Sequence, residues 1–213
     1  MSTTNLSNIV GSFIGRVWVP GLGPILVALR GEEVFDITSR EAPTMRDLLE
    51  LDDPASYVVG VTGQRLANLR DLEEDSITAQ SDPSKRHLLA PNDLQAVKAA
   101  GVTFARSMVE RVIEERAAGE PQAAKAIRSR IGDLMGSSLS NITPGSDDAE
   151  KVKQALIKEG LWSQYLEVGI GPDAEVFSKA QILSAVGWGA PVGLHPKSVW
   201  NNPEPEIVLA VNS

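Results

Sequence analysis

From Gly15 onward, short apolar runs alternate with turn-forming residues. Val17–Val19, Ile25–Leu29 and Val34–Ile37 are separated by Pro20-Gly21 and by Arg30-Gly31-Glu32. Such runs bounded by glycine and proline predict a small antiparallel meander. Residues 44–51 then predict a short helix, with Thr44 placed as its cap ahead of a Met45, Leu48 and Leu49 stripe. From Asp71 to Asp93 the chain is polar and charged, with Ile77, Leu88 and Leu89 as its main large apolar residues, which reads as a linker with a boundary near residue 90.

Beyond that boundary the period changes. Phe104, Met108, Val112 and Ile113 recur at helical spacing until Gly119 ends the run. A second helix is expected after Pro121, with Ala124, Ile127, Ile131 and Leu134 on one face. A third follows Ser146, where Asp147 and Asp148 suit a positive helix N-terminus, and stops at Gly160. After Leu161 short strands are expected at 174–178, 190–194 and 205–211, punctuated by Gly187, Gly189 and Pro191. The last run, Ile207–Val211, is continuously apolar, as in a strand buried on both faces between neighbours. Asn212-Ser213 follows it like the entrance to a hairpin whose return strand is missing, so the chain is expected to be a piece of a longer protein. The fold class expected is α+β: a small N-terminal β-rich domain with its linker over 1–90, then the first part of a mixed α/β domain over 91–213.

Composition narrows the chemistry. The 213 residues carry 20 Lys+Arg against 28 Asp+Glu, a formal net charge of −8. At 42% hydrophobic and 23% charged residues the chain is ordinary globular material, not a disordered one. The acid excess speaks against a nucleic-acid partner, which requires a basic face. With no cysteine there are no disulfides, thiolate metal sites or cysteine nucleophiles. The two histidines, His87 and His195, exclude a multi-histidine metal centre and leave few bases for a Ser-His-Asp arrangement. The first fifteen residues lack the basic start of a signal peptide, and no run approaches the length of a membrane span, so a cytoplasmic protein without a membrane partner is expected.

The sharpest candidate chemistry lies in Trp200-Asn201-Asn202-Pro203-Glu204-Pro205-Glu206. In an extended chain side chains two apart share a face, and at about 3.3 Å rise per residue the two carboxylates leave the backbone roughly 7 Å apart. Pro203 and Pro205 push the residues before them toward that extended geometry. Two like charges entering an apolar strand call for a proton or a cation, and an all-oxygen set suits magnesium or manganese. The same spacing also fits a solvated edge segment in which both acids face water. A second candidate is Glu175, Phe177 and Lys179, which strand alternation puts on one face. There a carboxylate could move a proton and an ammonium could steady an enolate or a substrate carboxylate. The competing account is a surface ion pair of little energetic weight.

Three stretches, GVTFARSMVERVIEERA from Gly101, LWSQYLEVGIGPDAEVFSKAQ from Leu161 and GLHPKSVWNNPEPEIVLAV from Gly193, resemble the fumarylacetoacetate hydrolase family. Within it they are most similar to the dehydratases of 2-keto-3-deoxy sugar acids. The likeness is strong over residues 88–213 and looser over 15–50. It implies a β-roll catalytic domain in homodimers or larger assemblies, with Glu204 and Glu206 as ligands of Mg2+, or of Mn2+ or Ca2+ in some members. It implies Glu175 as the acid/base glutamate, Lys179 as a lysine on the same strand, and Gly101-Val102-Thr103-Phe104 as a loop covering the substrate.

Two departures matter. Family members that hydrolyse C–C bonds carry a His-x-x-Glu pair where this chain has Ser107 and Glu110, which favours dehydration here. The family's third metal carboxylate and a further lysine would lie beyond Ser213. The expected activity is therefore dehydration of a 2-keto-3-deoxy-pentonate to 2,5-dioxopentanoate. The alternatives are a fumarylacetoacetase-like or acylpyruvase-like hydrolase, an oxaloacetate decarboxylase, or a catalytically incomplete fragment. His195 is a pocket-edge candidate, His87 a solvated linker residue, and Trp162, Trp188 and Trp200 are expected to pack the core or a pocket wall.

Overall fold

The first hairpin follows directly from the Pro-Gly turn. β1 (Phe13–Val19) pairs antiparallel with β2 (Gly23–Arg30), from Phe13↔Leu29 to Val19↔Gly23. Gly21 and Gly23 take φ of 78° and 104°, backbone that side chains with a Cβ rarely adopt. Two residues, Gly31 and Glu32, then connect β2 to β3 (Glu33–Asp36), which pairs Arg30 with Glu33. The computed structural model describes residues 11–79, 82, 84–101, 105–135, 142–173, 175–199, 201 and 205–213, with only the backbone at 105–108, 134, 135, 164 and 165.

The expected meander is thus present, inside a larger mixed α+β architecture. Helices α1 (Met45–Leu49) and α2 (Pro54–Gly60) come next, followed by β4 (Gln64–Asn68), α3 (Leu69–Thr78) and β5 (His87–Leu89). The five strands form one antiparallel sheet in the order β4-β3-β2-β1-β5. Thr44 caps α1 as expected, its side chain accepting the Asp47 N–H, and Asp53 does the same for Ser56 at the start of α2.

β2 explains the two-layered core. Its four central residues are all buried, but they alternate. Leu26 and Ala28 join Ile37, Met45, Leu48 and Val58, while Ile25 and Val27 join Val17, Val34 and Leu72. Helices therefore cover the sheet on both faces, which is why a central strand reads as an unbroken apolar run.

The segment expected to be a linker is the main difference in this part of the chain. Leu72 is 1% exposed, Ser76 is buried, and Asn68 caps the helix that carries them. The Ser76 hydroxyl donates to the Leu72 carbonyl (2.6 Å) and accepts the Leu88 N–H (2.8 Å), tying α3 to β5. High charge hid a helix whose few apolar positions fall on one side. Leu72→Ala is expected to cost about 2–3 kcal/mol, toward the low end for a buried leucine because α3 can partly settle into the gap. Denaturant titration of the two proteins checks it.

The chain divides into two compact units, Met1–Val97 with Ala180–Ser213, and Lys98–Lys179. The second unit contains β6 (Val97–Ala100, its first residue at the division), α4 (Ala105–Ala117), α5 (Pro121–Met135), α6 (Asp147–Lys158), α7 (Gln164–Ile170) and β7 (Val176–Ala180). The three expected helices are α4, α5 and α6, and Ser146 caps α6 by accepting the Ala149 N–H. Val109, Val112, Ile113, Ile131, Leu156, Leu161 and Leu166 make its core. Ion pairs Arg128–Glu110 and Arg130–Glu159 brace the helices at the surface.

In the first unit, the returning segment 180–213 is attached at separate points. The Leu183 N–H donates to the Asp93 carbonyl (3.0 Å), and the Gly187 backbone lies so close to Leu88 that a Cβ would stand 2.2 Å from its carbonyl oxygen. The expected strands at 190–194 and 205–211 are not strands here. Ile207–Val211, expected to be buried, is exposed, because no described strand lies beside it.

Candidate active site

Of the candidate site residues, Phe177 and Lys179 lie on β7 and Glu175 just before it. This strand pairs with β6, and at its start the Glu175 carbonyl accepts the Gly101 N–H at 2.8 Å. Alternation puts Phe177 and Lys179 on one side of β7, and the Lys179 ammonium indeed sits 5.2 Å from the centre of the Phe177 ring. On the strand's other side Lys98 Nζ reaches Ser178 Oγ at 3.5 Å. Glu175, Phe177 and Lys179 are all exposed.

Beside Glu175 a cavity of about 200 Å³ is lined by Glu167, Val168, Pro172, Asp173 and Glu175. Glycine at 101 shapes its surroundings. A Cβ there would lie 2.2 Å from Val168 Cγ1, so a bare backbone at 101 lets the Val168 side chain of α7 pack against it, while the Glu175 carboxylate stands at ordinary contact distance.

A neighbouring cavity of about 90 Å³ includes Ser146, Glu150, Lys153, Trp162 and Gly171 in its wall. Lys153 bridges the region, with Nζ 2.7 Å from Glu167 Oε2 and 5.3 Å from the Trp162 ring centre. Its hydrogen bond to Glu167 holds the Lys153 ammonium above the ordinary lysine range. Trp162 thus packs against the core of the second unit and walls this cavity, as expected.

Other expected site residues fare differently. Thr103, Phe104, Glu204 and Trp200 lie outside the described residues, and Ser107 belongs to α4 with only its backbone described. Glu110 is committed to a bidentate pair with Arg128, Oε1 at 3.2 Å from Nε and Oε2 at 2.6 Å from Nη2. Glu206 is exposed. Among the described residues no group of three or more aspartates, glutamates or histidines is placed to hold one metal ion. His195 is exposed, with Nδ1 accepting the Lys197 N–H at 3.2 Å inside its own turn. His87 lies half-buried in β5, not in a solvated linker, its ring stacked on Trp18 at 6.3 Å. Trp188, expected to pack, is exposed.

One buried polar cluster went unread in the sequence. Arg16 and Asp93 are 8% and 3% exposed, and Arg16 Nε lies 3.4 Å from Asp93 Oδ2. Arg16 also donates to the carbonyls of Ala90 and Asn92 at 3.2 and 2.9 Å. The Asp93 carboxylate accepts the N–H groups of Met45, Arg46 and Leu94 at 2.7, 3.1 and 2.6 Å. An arginine inside an otherwise apolar strand is the signal that could have found it, since a buried charge implies a partner. The cluster is structural: it caps α1 and anchors residues 90–94.

No helix among the described residues is long and apolar enough to cross a membrane. No protein-family model, no curated protein and no solved structure matches this chain.

Proposed function

We propose that the chain carries part or all of a metal-dependent hydro-lyase for a 2-keto-3-deoxy sugar acid, with the β-roll fold of the fumarylacetoacetate hydrolase family. The observation that carries the proposal is Glu175 in the wall of a cavity, with Phe177 and Lys179 following it on one exposed strand. The likeness of the three quoted stretches supports it from the sequence side. Glu175 takes the C3 proton of the 2-keto acid, and the electron pair of that C–H bond passes toward the keto group. Lys179 supplies positive charge beside the resulting enolate or the substrate carboxylate. The C4 hydroxyl then leaves as water after receiving a proton, and tautomerisation of a pentonate product gives 2,5-dioxopentanoate. A divalent ion, with Glu204 and Glu206 as its proposed ligands, would add Lewis acidity, and no step above is drawn through it. A cytoplasmic location and a homo-oligomer belong to the same proposal, as does the absence of a nucleic-acid partner, which the net charge of −8 favours.

A second account is a catalytically incomplete chain that needs further residues or a partner to complete its site. Both are tested together. The 213-residue chain is incubated with 2-keto-3-deoxy-D-xylonate and magnesium, and product is followed by NMR. Product that disappears with EDTA and falls sharply in Glu206→Gln is the expected result. Turnover of an acylpyruvate or oxaloacetate instead would move the assignment to a hydrolase or decarboxylase. No turnover, with no magnesium binding by calorimetry, would leave the incomplete-site account standing.

A further inference from the structure

We infer that Phe177 is a positioning residue: its ring draws the Lys179 side chain back along β7, so that the ammonium meets the carboxylate of a 2-keto acid whose C3 stands at Glu175. The identity of the ligand rests on the proposed function. The geometry is the strand's own. In extended backbone Glu175 and Lys179 are four residues and about 13 Å apart, farther than a small 2-keto acid reaches from C3 to C1. A lysine standing straight out of β7 would miss it. In the structure the Lys179 ammonium instead rests 5.2 Å from the centre of the Phe177 ring, and Phe177 lies midway between the two charged residues. The lean takes up roughly half the gap.

The charge brought back in this way is still available. Among the described residues Lys179 has no ion pair, so a ring and not an acid sets where its ammonium rests. An aromatic face orients a cation without neutralising it. The other ammonium nearby, that of Lys98, is turned to Ser178 on the opposite side of β7 and does not share the ligand.

The neighbouring strand leaves the ring room to act. The Gly101 N–H bonds the Glu175 carbonyl while Lys98 reaches Ser178, so β6 and β7 run in opposite directions and Ala99 falls across from Phe177. A methyl group covers little of the ring, which is 40% exposed. Of the two anionic groups on the substrate, the carboxylate projects farther from C3 than the enolate oxygen does. It is therefore the group that an ammonium approaching along the strand meets.

NMR of the full chain labelled at lysine Cε reads the pairing directly, with the Lys179 signal identified by its loss in Lys179→Met. The ligand probe is 2-oxopentanoate, a 2-keto acid with no C4 hydroxyl to lose, titrated in magnesium buffer and followed at the β7 amides. A ring-current shift at Lys179 and saturable binding are expected in the wild-type chain. Phe177→Leu should abolish that shift and weaken binding about 2- to 5-fold, the population change that a cation–π contact at an exposed site supports. Phe177→Trp should keep both, and in a Lys179→Met background Phe177→Leu should change affinity no further. The inference is overturned if the wild-type Lys179 signal shows no ring shift, if the probe does not bind, or if Phe177→Leu binds it as tightly as the wild type. An equal loss in the Lys179→Met background also overturns it, because Phe177 would then touch the ligand itself. Binding that follows the expected pattern without turnover of 2-keto-3-deoxy-D-xylonate would support the inference and count against the hydro-lyase, so the two fail separately.

Discussion

Replacing Asp93 with alanine is expected to lower the stability of the first unit by about 3–5 kcal/mol, the range for breaking a buried ion pair by removing one partner. The reason is the number of groups that depend on one carboxylate. Arg16 would keep its carbonyl contacts at Ala90 and Asn92 but lose its countercharge, and the N–H groups of Met45, Arg46 and Leu94 would lose their acceptor. Asp93→Asn should fall between the two, since one amide oxygen still accepts. Combining Asp93→Ala with Arg16→Met should recover part of the loss by removing the stranded charge, a coupling that a double-mutant cycle resolves. Hydrogen exchange at the Val17 and Val27 amides reports opening of this unit. A loss under about 1 kcal/mol, the scale of an ordinary exposed pair, would show that water already screens the cluster.

The second large effect concerns the proposed chemistry. Glu175→Gln is expected to lower kcat for the keto-deoxy acid by about 100- to 10,000-fold, the usual worth of a positioned general base, with KM changed far less. Glutamine preserves the length of the side chain and the Glu175 carbonyl contact to Gly101, so lost activity would not trace to a lost strand pair. Exchange of the C3 hydrogen with deuterated solvent gives a separate readout, because it needs the base and not departure of the hydroxyl. If the variant retained wild-type exchange and turnover, Glu175 would have no part in moving that proton.

What could be read along the chain was what local periodicity controls. The meander has its turns written in Pro20-Gly21 and Gly31, α4 and α5 each carry an apolar stripe long enough to declare its period, and α6 is marked by its Ser146 cap, acidic first turn and Gly160 stop. Elements held by distant partners were not legible. α2 buries only Val58, α3 buries only Leu72 and Ser76, and β5 has three residues defined by pairing with Arg16–Trp18. The same division runs through the candidate site. Alternation put Phe177 and Lys179 on one side of their strand, as the structure has them, but the cavity beside Glu175 is walled by residues in and after α7, a helix of seven residues without a side-chain cap. Ile207–Val211 shows the converse failure, since an apolar run states that a strand wants a neighbour and cannot say which one, or whether it comes from the same chain.

The division of the chain has a consequence for how the molecule could be taken apart. Polypeptide leaves the first unit at Val97 and re-enters it at Ala180, and these two crossings lie in β6 and β7, strands of one two-stranded ribbon. Residues 98–179 are therefore an insert with adjoining ends, carrying a hydrophobic core of its own. Such a segment can be excised as a separate gene product, or exchanged for a short turn, without stretching the backbone on either side of the cut. Glu175 and Lys179 would travel with the insert and Glu206 would stay behind, so the two halves of the proposed chemistry can be separated by genetics before they are separated by point substitution.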